Sequence, residues 1–150
     1  MKKLLKSLLT LLLVAALTLG LTACNKKQEA SETNGETKNG LWDNAIYLTD
    51  TEFGQGTKNL IVEVKAGEQS VKFAIHTDEA TVGDALLENN LITGDEGEYG
   101  LYIKTVNGIT ADYDVDQSYW AFYVDGEYAT AGVDSTEIAE ESVYQLEYTK

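Results

Sequence analysis

From residue 41 onward, apolar residues recur at every second position, the spacing of a half-buried strand. Val62 and Val64 alternate with Glu63 and Lys65, and Ala66-Gly67-Glu68 supplies a turn. Val71, Phe73 and Ile75 then alternate with Lys72, Ala74 and His76, so the segment reads as strand, turn and strand with one buried face. His76 falls on the face of Lys72 and is expected to be solvated rather than catalytic. Asn107-Gly108 and Asp125-Gly126 each sit between apolar runs, and both dipeptides accept the positive φ values of a type I′ hairpin turn. A last strand is predicted over 142–149, where Tyr144, Leu146 and Tyr148 alternate with Val143, Gln145 and Glu147. One stretch breaks the period of two. Residues 81–90 place Val82, Ala85, Leu86 and Leu87 on one side of a helix, with Thr81 as cap, Asp84 in the first turn and Asn89 or Asn90 at the end. The expected class is α+β, mostly antiparallel β, with about eight short strands and one α-helix in residues 41–150.

Residues 1–40 follow different rules. Lys2, Lys3 and Lys6 precede an almost wholly apolar run over 8–19, and small residues lead into Cys24, the one cysteine of the chain. This is the pattern of a secretory signal, predicted over residues 1–23. Leu21-Thr22-Ala23-Cys24 resembles a bacterial lipobox, which implies diacylglycerol on the Cys24 sulfur and cleavage before it. The uncharged stretch 7–23 lies at the lower limit of the roughly 17–25 residues that span a bilayer, so a plain transmembrane helix is the alternative. Residues 25–40 hold no large apolar side chain and read as a disordered tether with a reach of about 20–24 Å. The expected location is therefore the extracellular face of the cell membrane, with a Gram-positive envelope suiting the long polar tether.

Composition narrows the chemistry. The 150 residues carry 11 basic side chains, all lysine, against 25 acids, a net charge of −14. Loss of Lys2, Lys3 and Lys6 on cleavage leaves 8 lysines against the same 25 acids, a net −17. Such a surface repels phosphate backbones and lacks arginine clamps, so nucleic acid is excluded as a partner. One histidine and one cysteine rule out multi-histidine metal centres and an internal disulfide. Asp112, Asp114 and Asp116 invite a calcium reading, but Gln117 and Tyr123 stand where an EF-hand needs Gly and a bidentate Glu. A looser carboxylate-lined cation site there competes with a solvated acidic loop. Gly54-Gln55-Gly56-Thr57-Lys58 lacks the spacer of a phosphate loop and precedes a strand. No catalytic constellation emerges, and the expectation is a non-enzyme that requires no cofactor.

If Asp125-Gly126 is a two-residue loop, Val124 faces Glu127, Phe122 faces Ala129 and Trp120 faces Ala131, rings opposite alanines. The other face then carries Tyr119, Tyr123 and Tyr128. Those three rings are either a ligand platform or a second buried face beneath the helix.

The landmarks run Trp42, Ala45, Tyr47, Gly54, Gly56, Thr81-Val82-Gly83-Asp84-Ala85-Leu86 and Tyr99-Gly100-Leu101. They continue with Val106-Asn107-Gly108, Tyr119-Trp120, Tyr123, Gly126, Gly132-Val133 and Tyr144. In this order and spacing they resemble the domain of unknown function termed DUF4430, which is similar to the C-terminal β-domain of transcobalamin and intrinsic factor. The resemblance spans residues 42–148. Those vertebrate proteins hold cobalamin between a large α-helical domain and the β-domain, and 110 residues do not supply the helical half. What it implies is a binding module with Tyr119, Trp120, Gly132 and Val133 as candidate ligand contacts and a cobalamin-like molecule as candidate ligand; the tyrosine face adds Tyr123 and Tyr128 to those candidates. The partners expected are the membrane, through the lipid on Cys24, and a small molecule captured for a transporter's membrane subunit. The competing expectation is a surface module that docks on another protein through a sheet edge and takes no small molecule.

Overall fold

The computed structural model describes residues 40–150. The expectations for the signal and tether, Cys24 included, lie outside the described residues.

The alternating segments form nine strands. β1 is Thr51–Gly54, β2 Lys58–Ala66, β3 Gln69–Thr77, β4 Ile92–Gly97 and β5 Gly100–Val106. β6 is Ile109–Thr110, β7 Tyr119–Val124, β8 Glu127–Tyr128 and β9 Val143–Thr149. Six of them make one sheet in the order β1-β3-β2-β9-β7-β8, and β4-β5-β6 make a second. Most pairings are antiparallel, but β1 with β3 and β2 with β9 run parallel. The class is α+β with largely antiparallel sheets and one main helix, as the period of two and the single helical stretch predict.

One face of the large sheet carries the core. Leu60, Val62 and Val64 of β2, Val71, Phe73 and Ile75 of β3, and Tyr144 and Leu146 of β9 are all buried. Between them Glu63, Lys65, Lys72 and His76 point to the opposite, solvated face, and His76 Nε2 meets the Glu52 carboxylate at 2.8 Å there. That is the position expected of a solvated histidine. Tyr47, Phe53 and Phe73 meet edge to face, with ring centroids 5.0–5.8 Å apart.

The helix α1 spans Val82–Glu88. Thr81 Oγ1 accepts the Asp84 N–H at 3.1 Å and donates to Asp84 Oδ2 at 2.8 Å, a reciprocal cap built from the predicted pair. Asn90 (φ 56) stops the helix, and Leu91 N–H closes it on Leu86 O. Val82, Ala85 and Leu86 enter the core, whereas Leu87 is 41% exposed, so one residue of the predicted apolar side belongs to solvent.

Both hairpin signals are turns of the predicted kind. Asn107 and Gly108 have φ 51° and 80°, and Asp125 and Gly126 have 52° and 83°. Asn107 nevertheless differs from an ordinary turn residue, because it is fully buried. Its Nδ2 donates to Tyr47 O at 2.8 Å and its Oδ1 accepts Tyr47 N–H at 2.9 Å. Its own N–H and C=O bond to Leu91 O and Ile46 N. The turn thereby fastens the 46–47 segment to the second sheet.

Two expectations need correction, one about β7 and one about the loop before it. Val124 does face Glu127, and Ala129 N–H reaches Phe122 O at 2.9 Å. Trp120 does not pair with Ala131, because β8 ends at Tyr128 and the chain swings away; its partner is Tyr148 on β9. The acidic loop 112–116 also holds a single helical turn, α2 (Tyr113–Asp116), too short to show a periodic pattern.

Candidate functional site

The early end of β8 creates the site. It pairs with only the last two residues of β7, so the first part of β7 has no strand on that side among the described residues. The chain continues instead through residues 129–132 into a 3₁₀ turn, Val133–Ser135. Between this loop, β5 and β7 lies an open hollow of about 620 Å³. Leu101 and Ile103 of β5, Trp120 and Phe122 of β7, and Ala129 to Val133 of the loop form much of its wall.

Five of the six candidate contacts named from sequence border this hollow: Tyr119, Trp120, Tyr128, Gly132 and Val133. Tyr123 does not. Its ring packs edge to face on Tyr128, 5.4 Å between centroids, on the outer side of the sheet. Helix α1 sends its apolar residues to the core, and the tyrosine face is open, with Tyr119 and Tyr123 half-buried and Tyr128 62% exposed. Burial beneath the helix is therefore the alternative that fails.

The polar features of the hollow leave no mark in the sequence. Trp120 is 7% exposed, and its Nε1 has no hydrogen-bond partner among the described residues. An unmet buried donor costs about 1–3 kcal/mol, so native proteins seldom keep one without a use. Next to the wall, Asp134 Oδ1 is likewise buried and unmet. A Cβ on Gly132 would stand 2.6 Å from that oxygen, and one on Gly100 (φ +102) 2.4 Å from Oδ2. Gly132 therefore serves the seating of Asp134. Of the sequence landmarks, Gly100 and Gly132 both lie against this carboxylate, although neither names Asp134.

The three aspartates of the 112–116 loop do not converge on a common point. Asp112 Oδ1 caps α2, accepting the N–H groups of Asp114 and Val115 at 3.0 and 3.3 Å. Asp116 turns elsewhere, accepting from the Ser118 hydroxyl and from Lys150 Nζ at 3.0 Å. Among the described residues no group of three His, Cys, Asp or Glu side chains is placed to hold a metal.

The Ser118 hydroxyl and then Lys150 hold the Asp116 carboxyl down at about 2, from an ordinary 3.8. A lowered folded value stabilises the fold above the unfolded value, and that contribution disappears as pH falls from 3.8 towards 2. Asp116→Asn should therefore flatten the loss of stability across this acid window and leave the slope near neutrality unchanged. Urea midpoints measured at stepped pH check this.

These features define a small two-sheet domain with one capping helix and an open aromatic hollow. Residues 79–150 match the family described as a domain of unknown function, DUF4430. A crystal structure of a candidate metal-binding protein from Ruminococcus gnavus is similar at 33% identity and a TM-score of 0.59, over 63% of this chain and 98% of that one. The chain belongs to the DUF4430 family. Haptocorrin in complex with Cbi is similar at 19% identity and a TM-score of 0.45, over 65% of this chain and 26% of that chain. No curated protein matches the sequence.

Proposed function

We propose that the chain is a non-catalytic binding module of the cell surface, and that the hollow between β5 and β7 receives a small ring-bearing ligand, a cobamide-like molecule being the first to test. The observation that carries this reading is Trp120, a buried ring lining an open hollow with its indole N–H unmet. The nitrogen itself is buried, so a ligand acceptor would satisfy that donor once the ring shifts toward the hollow. The volume of about 620 Å³ lies within the usual range of small-molecule sites. An open hollow covers a ligand from one side, which suits capture and delivery to a transporter's membrane subunit.

Calorimetry with cobalamin and cobinamide tests the ligand. Saturable heat is expected, reduced by about 1–3 kcal/mol of affinity in Tyr128→Ala, the scale of an aromatic hot spot. Ala131→Trp should fill the hollow and abolish binding. Absence of heat with either corrinoid removes the cobamide version, and unchanged binding in Ala131→Trp removes the hollow.

The anchor belongs to the same proposal and rests on the residues around Cys24. Palmitate fed to expressing bacteria should label the wild-type chain and not Cys24→Ala; equal labelling of both would contradict it. The description of the Ruminococcus relative concerns metal binding by that protein, and the divided roles of Asp112 and Asp116 do not favour it here. A docking module without a small ligand is the second reading, and the feature that favours it is Tyr99, 93% exposed between β4 and β5 where it also lines the hollow.

A further inference from the structure

A second cavity, of about 550 Å³, meets the first at Tyr102 and Tyr119. Its walls are Tyr102 and Lys104 of β5, Tyr119 of β7, and Asp112, Tyr113 and Asp114 at the start of α2. Tyr102 and Lys104 project from the exposed side of β5, and α2 stands beside them as one fixed turn. Asp112 Oδ1 caps that turn, Ser118 Oγ accepts the Asp112 N–H at 2.9 Å, and Gln117 in the left-handed region (φ 63) ends it. Tyr113 and Asp114 are thus presented by a stiff loop.

The chemistry of the lining is selective. Three aromatic rings offer negative π faces. The hydroxyls of Tyr102, Tyr113 and Tyr119 have no hydrogen-bond partner among the described residues, and neither has the carboxylate of Asp114. The cavity's only cation, Lys104, is already paired with Asp95, and Asp112 adds to the field that keeps it charged. An anion would meet two carboxylates in a chain of net charge −14. A hard metal ion would want several oxygen ligands, and one carboxylate is committed to the α2 cap. A weakly hydrated organic cation fits both the rings and the charge.

We propose that this cavity is a binding site for a small quaternary ammonium group, held over the faces of Tyr102, Tyr113 and Tyr119 with Asp114 as its counter-charge. The site adjoins the hollow, sharing Tyr102 and Tyr119 with it, but does not rest on the ligand proposed there. Phosphocholine should bind less well than choline, because its phosphate meets the same two carboxylates.

The test titrates the full-length chain with choline, phosphocholine, 3,3-dimethylbutan-1-ol and calcium, following tyrosine ring signals by NMR. Choline should shift Tyr102, Tyr113 and Tyr119 saturably at millimolar concentration. The neutral carbon isostere should bind about tenfold more weakly, the scale of a cation–π contact with a partial counter-charge. Asp114→Asn should weaken choline severalfold, and added salt should act in the same direction. Equal binding of the isostere overturns the proposal without any variant. So does calcium moving the same three rings, or no shift with choline at all.

Discussion

Asn107→Ala is expected to cost about 2–4 kcal/mol, since it removes both side-chain hydrogen bonds to Tyr47 and strands the Tyr47 N–H and C=O within the protein. Its φ of 51° adds a second penalty, because alanine tolerates the left-handed region poorly. The two causes separate by a companion change. Asn107→Gly loses the same bonds but accepts the turn, and should be less damaging by about 1 kcal/mol. Urea unfolding followed by circular dichroism measures both. If Asn107→Ala falls within about 0.5 kcal/mol of wild type, the side chain is an ordinary surface turn residue after all.

Phe73→Ala should cost still more, about 3–5 kcal/mol, the range for deleting a buried phenyl ring. Phe73 is fully buried at the middle of β3 and meets both Tyr47 and Phe53 edge to face. Tyr47 links the two sites, since Asn107 holds its backbone and Phe73 packs on its ring. The milder Phe73→Leu combined with Asn107→Gly should therefore cost less than the two single changes together, by about 0.5 kcal/mol or more. Strict additivity would mean that the 46–47 segment does not couple the turn to the core.

The two residues differ in how far sequence reveals them. Phe73 is plain from alternation alone, because Val71, Phe73 and Ile75 can share only one face. Asn107 shows itself as a turn former, and its positive φ is as expected, yet nothing local says that the turn is buried. That depends on Tyr47, sixty residues away. The same division runs through the fold. The hairpins β2–β3, β5–β6 and β7–β8 are closed by neighbouring residues and are readable. The parallel pairs β1–β3 and β2–β9 join segments with no turn between them, and no local pattern encodes them.

The candidate site follows this division too. Tyr119, Trp120 and Tyr128 stand out as rings flanking a turn, but a strict hairpin register extends β8 too far and closes the space that the structure leaves open. The opening depends on where a strand stops, the feature least marked in sequence. Gly132 could be named from its resemblance to family landmarks, whereas its reason, the Asp134 carboxylate against it, is a tertiary fact. Asp112, Asp114 and Asp116 look alike in sequence and do three different things: one caps α2, one has a carboxylate without a partner among the described residues, and one is tied to Ser118 and Lys150. Their spacing suggests a cluster, but the turn between them separates their roles.

The two tryptophans make the central claim measurable in one experiment. Trp42 Nε1 already donates to Ala66 O at 2.8 Å within the core, while Trp120, whose ring lines the hollow, has a buried Nε1 with no partner among the described residues. Each gives a single indole N–H signal in a ¹H–¹⁵N NMR spectrum. On titration with cobinamide, the Trp120 signal should move saturably downfield as its ring shifts and the N–H gains an acceptor, with the Trp42 signal unmoved. A Trp120 signal that stays in place while the ligand binds elsewhere would contradict the proposed site.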